Sequence, residues 1–258
     1  MPRQPNAASP PGARPVRVQL FATCLVDQFH PEVGDATARV LERLGIEVCV
    51  PLDQTCCGQP AFNGGFVNEA AAMARYTIDV LTRSLDPVVV PSGSCADMIV
   101  NHYPELLAHD AAYHDRAVEL ASRTYELSQF LVDVLGVTDT GARETDSLVY
   151  HASCHGLRGL CLRDQPRALL RTAAGEQCTD LPGAETCCGF GGLFAVKMPS
   201  ISGAMLQAKL DEIEASGADA VVAADISCLM HIGGGLHRRG SRVRVRHLAD
   251  VLAGPPDA

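Results

Sequence analysis

Two adjacent cysteines followed by glycine occur twice in this chain, as Cys56-Cys57-Gly58 and Cys187-Cys188-Gly189. The same frame surrounds each. An apolar run, VRVQLFATC, ends at Cys24, and a second, SLVYHASC, ends at Cys154. From Cys24 to Cys56 is 32 positions and from Cys154 to Cys187 is 33. From Cys57 to Cys95 is 38 and from Cys188 to Cys228 is 40. The last cysteines close similar runs, VVVPSGSC and VVAADISC. Four cysteines per half, recurring at nearly equal spacing, require two copies of one folding unit.

Between the cysteines, strand and helix patterns alternate. Residues 16–23, IEVCVPL and PVVVPS read as strands. Residues 31–44 and NEAAAMARYTIDVLTRS have helical periodicity, with Gly45 as a stop and Asn68 as an N-cap. ADMIVNHYPELL is expected to be helical with a kink at Pro104, and 114–135 to be one longer helix. The second half predicts strands at 147–152, 176–181 and 218–224, helices at 165–174, 199–216 and 228–238, then a strand in SRVRVRHL and a short helix.

Strand-helix-strand alternation implies right-handed crossovers and parallel sheets. The expected fold is α/β, with two tandem, related Rossmann-like domains. A tail at 1–15 precedes a first domain at 16–137, and the turn-rich TDTGARETD (138–146) separates it from a second at 147–258. In such sheets chemistry collects outside the carboxyl ends of the strands. Cys24, Cys95, Cys154 and Cys228 stand at those ends, so four thiols per half should converge on one edge.

The formal charge of −9 argues against nucleic acid, which needs a basic face. Arg238, Arg239, Arg242, Arg244 and Arg246 form the main basic cluster and read as a solvated face. The Pro- and Ala-rich start, MPRQPNAASPPGARPVR, has no apolar core of a signal peptide and reads as disordered. No window approaches the roughly 18 apolar residues of a membrane span. A cytoplasmic protein is expected, and in a reducing compartment eleven cysteines point to metal or redox chemistry rather than disulfides.

Cys49, Cys161 and Cys178 lie outside the repeat and read as small buried hydrophobes. For the other eight, three chemistries compete. A vicinal disulfide is strained, because neighbouring Cα atoms lie about 3.8 Å apart and disulfides want about 4.4–6.8 Å. A structural zinc site prefers ligand pairs two to four residues apart, and no Cys-x-x-Cys occurs. Adjacent thiolates suit a multi-iron centre, and the glycine lets the backbone approach and donate to cluster sulfides. The pattern favours iron–sulfur over zinc. GFGG at 189–192 lacks the spacing of a dinucleotide fingerprint, and GGG at 233–235 reads as a helix stop.

The two Cys…Cys-Cys-Gly…Cys segments resemble the CCG cysteine-rich repeats of the B-type chain of heterodisulfide reductase and its relatives, the iron–sulfur subunits of glycolate and anaerobic glycerol-3-phosphate dehydrogenases. The endings PSGSCADM and SCLMHIGGG are similar to those of the lactate-utilisation A family, subunits of three-component L-lactate oxidising systems. The resemblance implies one cluster site from Cys24, Cys56, Cys57 and Cys95 and another from Cys154, Cys187, Cys188 and Cys228. The implied cofactor is [4Fe–4S], one or two per chain. The full family pattern ends Cys-x-x-Cys; here Met98 and His231 hold the final position. Met98 reads as core and His231 as a candidate further ligand. His151 and His155 flank Cys154 and are candidates to donate to a sulfide or move a proton. The implied function is electron transfer in oxidation of a 2-hydroxy acid, alongside partner proteins that include a ferredoxin-type iron–sulfur protein. A thiol-disulfide reductase and a zinc-binding scaffold are the alternatives.

Overall fold

The computed structural model describes residues 14–255. The expected tail lies outside them, apart from Arg14 and Pro15. Strands β1 (Arg17–Leu20), β2 (Glu47–Cys49), β3 (Val88–Val90) and β4 (Thr124–Glu126) make one sheet. Strands β5 (Leu148–Tyr150), β6 (Cys178–Asp180), β7 (Ala220–Ala223) and β8 (Arg244–His247) make the other. Every pairing is parallel, and the orders β2-β1-β3-β4 and β6-β5-β7-β8 are one topology written twice. This is the α/β duplication expected from the repeat. β3 and β7 are apolar throughout and buried, as strands covered on both faces must be.

The first half carries helices α1 (Cys24–Phe29), α2 (Pro31–Arg43), α3 (Gln59–Asn63) and α4 (Val67–Leu81). Pro31 opens α2, where its missing N–H costs nothing, and Val33, Ala36, Val40 and Leu41 bury one stripe. The N-cap of α4 is Phe66, with no side-chain cap, so Asn68 sits inside the first turn instead of capping it. The expected helix around Pro104 is α5 (Gly93–Asp97), a π turn at Met98–His102 and α6 (Tyr103–Leu106). The kink takes the form of a widened turn just before the proline.

The expected long helix at 114–135 is instead α7 (His114–Ser122), β4 and α8 (Leu127–Gln129), which runs into a π turn at Phe130–Val134. The Arg123 side chain donates to the Leu81 and Asp86 carbonyls, and Val88 N–H donates to the Arg123 carbonyl. Those bonds draw the backbone out of the helix and onto the sheet.

The second half carries α9 (Gln165–Ala174), α10 (Leu193–Lys197), α11 (Pro199–Ala215), α12 (Ile226–Arg239) and α13 (Leu248–Ala253). GGG at 233–235 lies inside α12, not at its end; the stop is Gly240, at φ +68. A side chain at Gly235 would sit 2.7 Å from Leu210, and one at Gly233 would sit 3.2 Å from Val245. The glycines let α12 lie close to α11 and β8. Three arginines of the cluster are paired: Arg239 with Asp211 and Glu214, Arg244 with Asp146, and Arg246 with Glu144. Among the described residues no helix is long and apolar enough to cross a membrane.

The halves share their core. α13 packs on α2 of the first half, while α8 and its π turn pack on α9 of the second. One continuous buried cluster therefore includes Val40 and Leu41 with Leu252, and Leu127 and Phe130 with Leu169. Arg43 fastens the exchange by donating to the carbonyls of Thr140 and Ala253 at 3.2 and 2.7 Å.

Equivalent positions at the ends of β4 and β8 hold two buried titratable caps. Glu126 accepts from the N–H groups of Ser128 and Gln129, and His247 accepts from Ala249 N–H. Burial pushes the Glu126 acid up to about 7 and the His247 imidazole down to about 4. The two act oppositely. Glu126 contributes stability below its unfolded value of 4.5, and that contribution is lost as pH rises toward 7. His247, kept neutral when folded, adds stability as pH rises from about 4 to 6.5. Glu126→Gln removes one side of this balance. From pH 5 to pH 8 the variant should gain roughly 2–3 kcal/mol on the wild type, read from urea unfolding at both values. A constant difference across that range would contradict a neutral Glu126 in the folded protein.

Candidate metal centre at the seam of the two halves

The strand ends deliver the cysteines as their order requires. Cys24 opens α1 after β1, and Cys95 lies in α5 after β3. Cys154 follows β5, and Cys228 lies in the first turn of α12 after β7. The pairs 56–57 and 187–188 stand on loops beyond β2 and β6. All eight line one cavity of about 220 Å³ between the halves. All eleven cysteines are free, so neither vicinal pair is a disulfide.

Within each half the sulfurs crowd. Cys57 Sγ lies 3.3 Å from Cys95 Sγ, and Cys188 Sγ lies 3.2 Å from Cys228 Sγ. The N–H groups of Gly58 and Gly189 point at Cys56 and Cys187, at 3.5 and 3.4 Å. Hydrogen bonds from Cys24 and Cys57, with the Gly58 N–H, hold the Cys56 thiol well below its ordinary value against the effect of burial. Cys154, Cys188 and the Gly189 N–H do the same for Cys187. Hydrogen bonding to those two and burial drive Cys24 and Cys154 up, and Cys57 and Cys188 rise likewise. The first cysteine of each pair is thus a favoured thiolate, and in the second half the bond with Cys188 lowers Cys228 as well, to about 7. A polyvalent soft metal centre relieves that crowding by replacing the protons, so the donor set fits such a group.

The glycines of the two pairs are required by conformation. Gly58 has φ +85 and Gly189 has φ +88. A Cβ at Gly189 would lie 2.7 Å from the Ser202 carbonyl and 2.9 Å from Met205 Cβ. At Gly58 the nearest atom would be Met73 Cβ, at 3.2 Å. Gly58→Ala should cost about 1–2 kcal/mol from the backbone alone, and Gly189→Ala about 3 kcal/mol or more, because the clash adds to it. Equal losses in urea unfolding would refute the closer packing in the second half.

Polar groups that the cysteine pattern did not reveal complete the cavity. Asp225 is buried and caps α12, accepting from Ser227 N–H at 3.1 Å. It also crosses the seam, accepting from Ser94 N–H at 2.8 Å and Ser92 Oγ at 3.3 Å. Ser92, its counterpart in the first half, caps α5. Both stand three residues before a repeat cysteine, which is a signal the sequence carried. Thr23, just before Cys24, takes φ +70, a strained conformation for a β-branched residue that costs of order 1–3 kcal/mol.

The four candidates beyond the cysteines separate. His155 lines the cavity, with its Nδ1 2.6 Å from Asp97 and its Nε2 3.3 Å from the Gln59 amide. The Asp97 hydrogen bond raises the imidazole. Burial works to raise Asp97, but bonds from His102, His155 and Asn101 outweigh it and hold the carboxyl below the usual range. His151 is fully buried beside Cys188 and Cys228. Met98 is fully buried in the core of the first half. His231 sits 3.4 Å from Ser202 Oγ, packs on Phe190 and lines a separate surface pocket.

The lone cysteines divide. Cys49 and Cys161 are exposed, because Cys49 is on edge strand β2 and Cys161 is in a turn at φ +59; both differ from the buried positions expected. Cys178 is half-buried, and burial pushes its thiol up to about 11.

A profile of the CCG cysteine-rich domain matches residues 18–100 and 148–233, the two segments that carry the eight thiols. The chain is 49% identical over 237 residues to lactate utilization protein A of Shouchella clausii (strain KSM-K16), covering 92% of this chain and 98% of that one. It is 46% identical to the protein of that name from Geobacillus sp. (strain WCH70) and 47% identical to that of Bacillus subtilis (strain 168), each over 92% of this chain and 99% of the relative. With two CCG cysteine-rich domains and near full-length identity of this order, the chain belongs to the lactate utilization protein A family.

Proposed function

We propose that this protein is an iron–sulfur electron-transfer subunit of a multi-component system that oxidises L-lactate. One observation carries the reading: eight thiols, four from each repeat, line a single cavity at the seam. Cys24, Cys56, Cys57 and Cys95 of the first unit (16–137) would hold one [4Fe–4S] group. Cys154, Cys187, Cys188 and Cys228 of the second (147–258) would hold another. Such groups, when bound, accept and release single electrons. The chain's own part is to supply thiolates, aim the Gly58 and Gly189 N–H groups at sulfur, and wall the sites from water with Phe190 and the buried strand ends. The lactate assignment is supported by the names of the relatives. Partner proteins, including a ferredoxin-type iron–sulfur protein, would deliver or remove the electrons.

The test is iron, acid-labile sulfide and zinc content of protein purified without oxygen, with electron paramagnetic resonance before and after dithionite. About eight irons per chain and a reducible signal are expected for two [4Fe–4S] groups. Zinc without iron would overturn electron transfer in favour of a structural scaffold.

A further inference from the structure

The repeat is close enough that departures from it are informative. Three residues before Cys24 stands Phe21, and three before Cys154 stands His151. Both follow the central strand of their sheet, and both are fully buried. Phe21 packs in the apolar cluster that contains Cys57 and Cys95. His151 fills the corresponding slot beside Cys188 and Cys228, the counterparts of those two cysteines. Its backbone N–H donates to the Val222 carbonyl at 2.8 Å, which fixes the residue on the sheet. The second half has therefore replaced a phenyl ring at its thiols by an imidazole.

That imidazole has no oxygen or nitrogen partner. Both Nδ1 and Nε2 are buried without an oxygen or nitrogen partner, and the hydrogen bond the ring does make is to the Cys228 thiol. Leaving a buried polar group unpaired costs of order 1–3 kcal/mol, and a phenyl ring in the same slot would avoid the cost. One ring nitrogen, the Cys188 Sγ and the Cys228 Sγ lie within 4.8 Å of one another. A neutral imidazole nitrogen beside two thiols is a donor set that a soft or borderline metal centre accepts.

We infer that His151 is a further, nitrogen ligand of the metal centre in the second half, beside its four thiolates, which makes that site sulfur–nitrogen while the first site is all sulfur. The inference rests on the iron–sulfur reading above. It implies unlike potentials within one chain.

The experiment uses the full chain purified without oxygen, grown with natural or ¹⁵N-labelled histidine and reduced with dithionite. Pulsed electron paramagnetic resonance reads nitrogen coupling directly. A strong coupling that changes with the histidine label is expected in the wild type and in His231→Phe. It is expected to be lost in His151→Phe and His151→Gln, either of which suffices if the other fails to fold. Redox titration should resolve two midpoint potentials, only one of which shifts in the His151 variants. A reducible iron signal with no strong histidine coupling, or with coupling that survives in the His151 variants, overturns the inference and leaves the iron–sulfur reading intact. Absence of iron overturns both.

Discussion

Cys188→Ser is expected to remove one metal centre and spare the other. Cys188 is 2% exposed, and its sulfur is in contact with Cys228. Serine keeps the shape but replaces a soft thiolate with a hydroxyl that stays protonated near neutral pH, and such an oxygen is a poor ligand for iron–sulfur groups. Iron should fall from about eight to about four per chain, with sulfide falling in parallel. Cys57→Ser, at the equivalent position, should give the same drop, and the double variant should hold almost none. Cys49→Ser is the control, because Cys49 is exposed and outside the cavity. The paramagnetic signals of the two single variants should add up to that of the wild type. If both single variants keep the full iron content, the assignment of four thiols to each site fails.

Asp225→Ala should be the most damaging change outside the cysteines. One buried carboxylate caps α12 through Ser227 and bonds to Ser92 and Ser94 across the seam. Alanine leaves the Ser94 N–H and the helix N-terminus without their acceptor, at a cost of about 3 kcal/mol or more. Asp225→Asn keeps one acceptor oxygen and should lose about half as much. Asp211→Ala breaks an exposed pair with Arg239 and should cost less than about 1 kcal/mol. Urea unfolding of the three variants gives the order directly. An Asp225→Ala variant no weaker than Asp211→Ala would mean that the seam is held by packing alone.

The duplication was legible because the cysteine punctuation has drifted little between the halves. Eight cysteines at matched spacing mark the strand ends, and from them follow the sheets and the convergence of the thiols. What stayed hidden depends on contacts between distant segments. β4 is three residues long, and its neighbours have helical periodicity; only pairing with β3 and the bonds of Arg123 make Thr124–Glu126 a strand. Its counterpart was present in the sequence, since SRTYEL and SRVRVRHL share an opening and both lead to Asp-Val-Leu. The GGG of α12 was misleading in the other direction, because glycine marks close packing there and not a stop. Asp225 was missed because it looks like an ordinary cap; that it also reaches Ser94 is a fact of how the halves meet.

The exchange of terminal helices bears on how this protein can be assembled. α13 follows the whole second half in the chain and belongs on α2, which is made early, so the first half cannot finish its core until synthesis has passed through the second. Thr140, in the connecting segment, donates to the Leu252 carbonyl at 2.9 Å and is gripped by Arg43, so this segment acts as a strap rather than a hinge. The cavity wall closes only when both halves are in place. Loading of the proposed centres and completion of the fold would then be one cooperative event, and a chain cut at the seam would yield two fragments that each expose the face the other was built to cover.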